Sequence, residues 1–347
     1  MIQLSERQER ILKMVIEMYV STAHPIGSAA LVSNAALGIS SATVRHEMAI
    51  LEELGFIHHL HTSGGRVPTK AGYRYYVERL MEPVRLPNAD ARTIRHQFHQ
   101  VHTEMGEWLK LAATVMAYRM HNVGLITAPK ATEGRLRHLE VISTQHAMAL
   151  LIVVLQNGSV LQEMITLTEP QSQETLSALA DRLSQALRGL TSAQIEGKIT
   201  AFPPLDLSVA TIVVRLLKRG EYQHAQLFHA GLAELIRQPE FLEARPGEPA
   251  TVVHERLHQM VEFLHQGFAL QRLLAGLPAA ADVQVVIGSE TAVEGLHDYS
   301  FVLARYGDEE DSSGYLGIVG PTRMEYPRAV ALVRYMTDLM SDLMSSY

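Results

Sequence analysis

Between Ser40 and Pro68 the apolar rhythm of the chain switches from a helical period to a strand period, with a Gly-Gly turn inside the strand part. Val44, Met48 and Leu51 recur at i, i+4 and i+7, the spacing of one buried helical stripe, and Ser40 or Ser41 supplies an N-cap. After Gly55, the run Phe56-Ile57-His58-His59-Leu60 predicts a strand, Ser63-Gly64-Gly65 a hairpin turn and Arg66-Val67-Pro68 the return strand. Pro68 has no N–H to give a central ladder, so the return strand is expected at an edge.

The flanking residues complete a domain around this unit. Ser5-Glu6-Arg7-Gln8 has the pattern of a capping box, and Ile11, Leu12, Val15, Ile16 and Tyr19 follow at helical spacing. His24-Pro25 ends that helix, Gly27-Ser28 opens a short second one, and Gly38 turns the chain into the third. Thr69 caps a further helix whose Tyr73, Tyr76, Val77 and Leu80 hold the hairpin to the domain. Helices and hairpin in that order predict a winged helix-turn-helix, although the topology alone also suits a small domain that only packs or dimerises.

Opposite the buried stripe of the third helix lie Ala42, His46, Ala49 and Glu53, with Thr43 and Arg45 on the flanks. A helix entering the major groove needs such a small, polar face with one or two long donors near its N-terminus. Ser28, Ser40, Ser41, Thr43, Arg45 and His46 are therefore expected to read or position a half-site of duplex DNA. His61, Thr62, Ser63, Gly64, Gly65 and Arg66 are expected along its flank, with Arg66 reaching a phosphate.

Charge agrees with local rather than bulk binding. The 347 residues carry a net charge of −7, which argues against coating nucleic acid with the whole surface. Residues 1–80 hold 8 Lys+Arg against 7 Asp+Glu, which leaves 22 against 30 for the rest. Between His58 and Met81, Arg66, Lys70, Arg74 and Arg79 face one acid, Glu78. The absence of cysteine excludes a disulfide framework, thiol redox chemistry and zinc ribbons. Apolar runs such as Ala147 to Leu155 are too short to cross a bilayer, and the N-terminus has no secretory apolar region, so a cytoplasmic protein is expected.

Further along, Pro83 and Pro87 flank a linker, after which Ile94, Phe98, Val101, Met105, Trp108, Ala112 and Val115 alternate steps of four and three. This seam suits a helix paired with a second subunit or one buried in its own domain. Strands are expected at Val123–Thr127, Leu136–Ile142, Met148–Leu155, Val160–Leu167, Val283–Ile287, Tyr299–Arg305 and Tyr315–Val319, the third and fourth joined through Asn157-Gly158. Helices are expected at Thr175–Leu190, Leu207–Lys218, Tyr222–Arg237, Thr251–Leu274 and Tyr326 to about Met344. The pattern is a mixed sheet interrupted by a mostly helical insert.

The strings LSERQERIL, PIGSAAL, SSATVRHEMAILEELGFI and HTSGGRVPTKAGYRYYVERLM together closely resemble the winged-helix domain of HrcA, the bacterial heat-inducible transcription repressor family. VVIGSE followed by GYLGIVGPTRMEYPRAVALVRYMTDLM resembles the C-terminal signature of the same family, so the resemblance covers nearly the whole chain. His46, Leu60, Gly64 and Thr291 stand where that family commonly has Asn, Pro, Ala and Asn. The resemblance implies an α+β multidomain protein. Its parts would be a winged helix at 1–82, a linker at 83–89, a GAF-like α/β domain at 90–199 and 280–347, and an inserted, mostly helical dimerisation domain at 200–279. It further implies a homodimer bound to an inverted-repeat operator upstream of chaperone operons, with the chaperonin as modulator, and neither cofactor nor enzymatic activity.

Four other readings attach to particular residues or to the fold. His254-Glu255-Arg256-Leu257-His258 matches the H-E-x-x-H zinc-hydrolase pattern, with Glu262 and His265 as nearest third ligands. His58, His59 and His61 also invite a metal, but strand alternation sends His58 and His59 to opposite faces. A GAF-like pocket would permit an effector-gated regulator. Arg323, within Gly320-Pro321-Thr322-Arg323, suits an anion or a pairing with an acid such as Glu290.

Overall fold

In a computed structural model of the chain, Ser5 starts the first helix as its pattern requires, accepting from the Gln8 N–H while the Gln8 side chain accepts from the Ser5 N–H. The structure describes residues 3–34, 38–59, 65–101, 104–131, 134–145, 147–156, 158, 160–222, 226–242, 248–249, 251–265, 273–274, 282–290, 295–308 and 312–345. They fall into two compact units, one of residues 1–129, 225–307 and 314–347, the other of 130–224 and 308–313.

The first unit opens with α1 (Glu6–Thr22), α2 (Ser28–Asn34) and α3 (Ser41–Glu53), whose Ile11, Leu12, Val15, Ile16, Leu31, Val44, Met48 and Leu51 are buried together. The hairpin follows as β1 (Ile57–His59) and β2 (Arg66–Pro68), antiparallel with Ile57 opposite Pro68 and His59 opposite Arg66. Strand β2 is an edge of this two-stranded sheet, as Pro68 leads one to expect, and meets one further segment through an isolated bridge. There Arg66 exchanges both backbone hydrogen bonds, each 2.9 Å, with Ile26. Thr69 caps α4 (Lys70–Tyr75), which continues as a π-helical turn over Tyr76–Leu80.

The seam from Ile94 to Val115 forms two helices rather than one, α5 (Asn88–Gln100) and α6 (Met105–Met120). Ile94, Phe98, Trp108, Ala112 and Val115 are buried in the unit's own core. That core also holds α13 (Tyr326–Ser345), and it is continuous with the winged-helix core through Tyr73, Tyr76 and Tyr326.

Five strands make the unit's sheet, in the order β8 (Leu227–Ala230), β3 (Val123–Thr127), β11 (Ser312–Pro321), β10 (Tyr299–Gly307) and β9 (Gln284–Ile287). Every described pairing in it is antiparallel. One face buries Ile126, Val302, Leu316 and Ile318 with α6 and α13. The other buries Val123, Leu125, Phe301, Leu303 and Val319 with Phe241 of α11 (Pro239–Leu242) and Met260 and Phe263 of α12 (Thr251–His265). The short α10 (Leu232–Ile236) precedes α11. The helix expected over Tyr222–Arg237 is thus broken by β8, a four-residue edge strand.

The second unit is a separate three-stranded antiparallel sheet of β5 (Leu136–Gln145), β6 (Met148–Leu155) and β7 (Val160–Thr166), while β4 (Lys130–Ala131) pairs with Ser312 and Ser313. Leu139, Val141, Leu151 and Val153 pack against α7 (Gln173–Leu187) and α9 (Pro204–Tyr222), with α8 (Ser192–Glu196) between those helices in sequence. This unit takes in residues 130–224 and 308–313, whereas the insert expected from the sequence runs over 200–279. These strands have their own helical cover. Asn157 lies outside the described residues.

The outward face of this sheet is apolar as well. Ile142, Met148, Val160 and Met164 are exposed, and Leu150, Ile152 and Val154 between them are half-buried. Leu150 stands in one cross-strand row with Ile142 and Met164, and Val154 faces Val160.

Candidate DNA-binding surface

The N-termini of α2 and α3 bring four expected residues together as a hydroxyl cluster. Ser40 Oγ accepts from the Thr43 N–H at 3.2 Å and lies 3.0 Å from Thr43 Oγ1, which makes Ser40 the N-cap. Ser28 and Ser41 link the two helix starts, their Oγ atoms 3.3 Å apart. Beyond this cluster Ala42, His46 and Glu53 are exposed opposite Val44, Met48 and Leu51, Ala49 on the same face is half-buried, and Arg45 is exposed on the flank, as the helical spacing requires. Aimed outward from a capped helix, Arg45 and His46 can donate to base edges or phosphates, and the Ala42 methyl permits close approach.

Two acids missed in the sequence organise this surface. Glu47 of α3 is buried, and its carboxylate accepts from Arg7 Nη1 at 3.3 Å and Gln8 Nε2 at 3.1 Å, which docks α3 on the start of α1. Its place beside Met48 on the apolar side was the available signal. Around it, Ser5, Glu6, Arg7, Arg10, Ile39 and Glu47 line an open concavity.

The second acid is Glu52. Its carboxylate accepts from Arg66 Nε at 3.0 Å and the His59 N–H at 3.2 Å, and it also meets His59 Nδ1. Burial raises the Glu52 pKa, but the hydrogen bonds and charges of Arg66 and His59 outweigh that and leave it below the ordinary value. Arg66, expected on a phosphate, has a side chain only 11% exposed and pairs with Glu52 at the base of the wing. Its partner is 14 residues away on another element, which local pattern does not reveal.

Gly65 serves packing. A Cβ there would stand 2.6 Å from the Pro25 carbonyl carbon and oxygen, closer than any side chain can come. His61, Thr62, Ser63 and Gly64 lie outside the described residues, as does Leu60.

The remaining candidates resolve into structure. Arg323 pairs with Glu240 rather than Glu290, its Nη2 3.3 Å from Glu240 Oε2, and its Nη1 donates to the Val20 carbonyl at 2.5 Å. Glu290 takes Arg74 instead, with Arg74 Nε at 2.6 Å. In the H-E-x-x-H string, His254, Glu255 and His258 are exposed, while Arg256 between them is buried on Glu248 and Asp298. Among the described residues no group of three His, Asp or Glu side chains is placed to hold a metal ion, and no helix is long and apolar enough to cross a membrane.

Comparison with known proteins places this geometry. A family profile described as winged helix-turn-helix transcription repressor, HrcA DNA-binding, matches residues 3–80, and one described as HrcA protein C terminal domain matches residues 106–330. The chain belongs to the HrcA family. It is 43% identical to the heat-inducible transcription repressor HrcA of Thermomicrobium roseum, over 99% of this chain and 96% of that one. It is 42% identical to the HrcA of Chloroflexus aurantiacus, over 99% of this chain and 94% of that one. A solved crystal structure of a hypothetical protein shares the HrcA chain's fold, with a TM-score of 0.62 at 21% identity, covering 99% of each chain. HrcA relatives are transcription repressors, a non-enzymatic function, so the H-E-x-x-H string has no hydrolase to belong to.

Proposed function

We propose that this chain is a heat-inducible repressor that binds an inverted-repeat operator of chaperone operons as a homodimer. The observation that carries it is the exposed face of α3, where Arg45 and His46 project beyond the Ser28, Ser40, Ser41 and Thr43 hydroxyls. Ser40, Ser41, Thr43, Arg45 and His46 read or position one half-site, and Ser28 with the wing tip from His61 to Gly65 holds its flank. Arg66 acts through the wing it braces.

Two subunits match a palindromic site by sharing its two-fold symmetry. The apolar outer face of the β5–β6–β7 sheet supports dimerisation through the 130–224 unit. A second copy of the same face would bury the row Ile142, Leu150 and Met164, which a lone subunit leaves open to water. The antiparallel sheet with α6 and α13 on one face supports a GAF-like body. Control by temperature and chaperonin follows if the DNA-competent dimer is marginal, so that a few kcal/mol shift its population.

Footprinting on duplexes selected from a random-sequence pool tests the proposal. A protected inverted repeat, weakened by Arg45→Ala, is expected, with affinity that falls on warming and recovers with added chaperonin. Protection that lacks two-fold symmetry, or that ignores Arg45→Ala, overturns it.

A further inference from the structure

Helix α1 ends with no basic residue in its last turn, although the last carbonyls of a helix have no partner from a following turn and carry the negative end of its dipole. The missing cation comes from the other end of the chain. Arg323, in the turn between β11 and α13, donates from Nη1 to the Val20 carbonyl at 2.5 Å, across 303 positions of sequence. Glu240 holds the same guanidinium from behind through Nε and Nη2, and the two side chains are only 15% and 12% exposed.

A second tie runs in the opposite direction. Arg74 of α4 leaves the winged helix and donates from Nη2 to the Val285 carbonyl at 2.8 Å, while Glu290 accepts from its Nε and Nη2. Between the two ties the Tyr73 ring packs on Tyr326 with centroids 5.8 Å apart. The Tyr326 hydroxyl is fixed in turn by Ser300 Oγ at 2.8 Å and the Thr322 carbonyl at 2.7 Å. The Lys70 stem also lies over Gly288.

One tie leaves a domain free to swivel about it, and two separated ties remove that freedom. Each tie here ends on a backbone carbonyl, which cannot rotate away as a surface side chain does, and each is completed by a charge-assisted bond to a carboxylate. We propose that Arg323 and Arg74 are positioning residues for DNA binding, which fix the winged helix on the strand-and-helix body at one angle. In a dimer this sets the distance and the helical phase between two recognition helices, so that half-site spacing is chosen by residues that touch no DNA. The inference rests on the dimeric, inverted-repeat reading above.

Its test is a series of duplexes in which two half-sites, defined by footprinting, are moved apart one base pair at a time, each step turning one half-site by about a tenth of a helical turn. Full-length wild type should prefer one spacing by about tenfold or more over its neighbours. Arg323→Gln and Arg74→Gln should flatten that preference to about threefold or less, with binding to a single half-site unchanged. Arg323→Lys, which keeps charge but not the planar fork, should restore it only in part. Should an arginine variant fail to fold, Glu240→Gln and Glu290→Gln loosen the same ties and are read in the same way. Variants that melt earlier yet keep the wild-type spacing preference would mark the ties as merely structural and overturn the proposal alone. A wild type indifferent to spacing would overturn the inverted-repeat reading and this inference with it.

Discussion

Arg66 Nε stands 3.0 Å from Glu52 Oε2, an ion pair that ties β2 to α3. Replacing Arg66 with Ala should lower stability by about 1 kcal/mol and leave the slope of log K against log salt unchanged, since no phosphate contact is lost. Thermal melts beside binding titrations at several salt concentrations check both halves. A slope reduced by about one would return Arg66 to the phosphate backbone.

Arg45 differs because it is exposed and sits one turn into α3. Arg45→Ala should weaken operator binding by about 1–3 kcal/mol and relax base preference at one position per half-site. Competition with single-base variants of the selected duplex measures this, and a uniform loss across all sequences would make Arg45 a backbone contact instead.

The same Glu52 carboxylate carries a pH signature. Its folded pKa lies below its ordinary value, so its contribution is present above the ordinary carboxylate range and is lost as pH falls through the folded value. Wild type should therefore melt higher than Glu52→Gln near neutrality, and the gap should close in acid. A gap independent of pH would assign Glu52 no ionic role.

Gly65 has no room for a methyl group, because the strand segment at Pro25 and Ile26 passes directly beside it. Gly65→Ala should cost about 1–3 kcal/mol through displacement of that segment, detected as a lower Tm and faster exchange of the Ile26 and Arg66 amides.

On the second unit, Leu150→Lys places a charge in the centre of the outer row while the inner face of the sheet is left alone. Sedimentation should then report a monomer that keeps native secondary structure. A dimer of unchanged stability would remove this face from the interface.

The winged helix was legible because its signals are local: the Ser5 capping box, the Ser40 cap, the stripe of Val44, Met48 and Leu51, and the hairpin around Gly65 each span a few residues. What was not legible depends on distant partners. Apolar alternation identified β5, β6 and β7 as strands but could not say that they form a three-stranded sheet of their own. The edge strand β8 has four residues, too few to interrupt a helical pattern. At the site, the outward face of α3 followed from helical geometry, whereas the fate of Arg66 turned on Glu52 and that of Arg323 on Glu240 and Val20.

Strand β11 lies between β3 and β10 and is drawn from Ser312–Pro321, close to the end of the chain, and Arg323 follows it at once. A domain folds as soon as its own residues have left the ribosome, so the winged helix can form some 250 residues before the sheet that anchors it, at about 5–20 residues per second. During that interval the head has no Arg323 at the end of α1 and no settled angle. If Arg323 sets the angle as proposed, synthesis of β11 is a check on completeness: a chain halted before it would carry an intact winged helix without the tie that phases it.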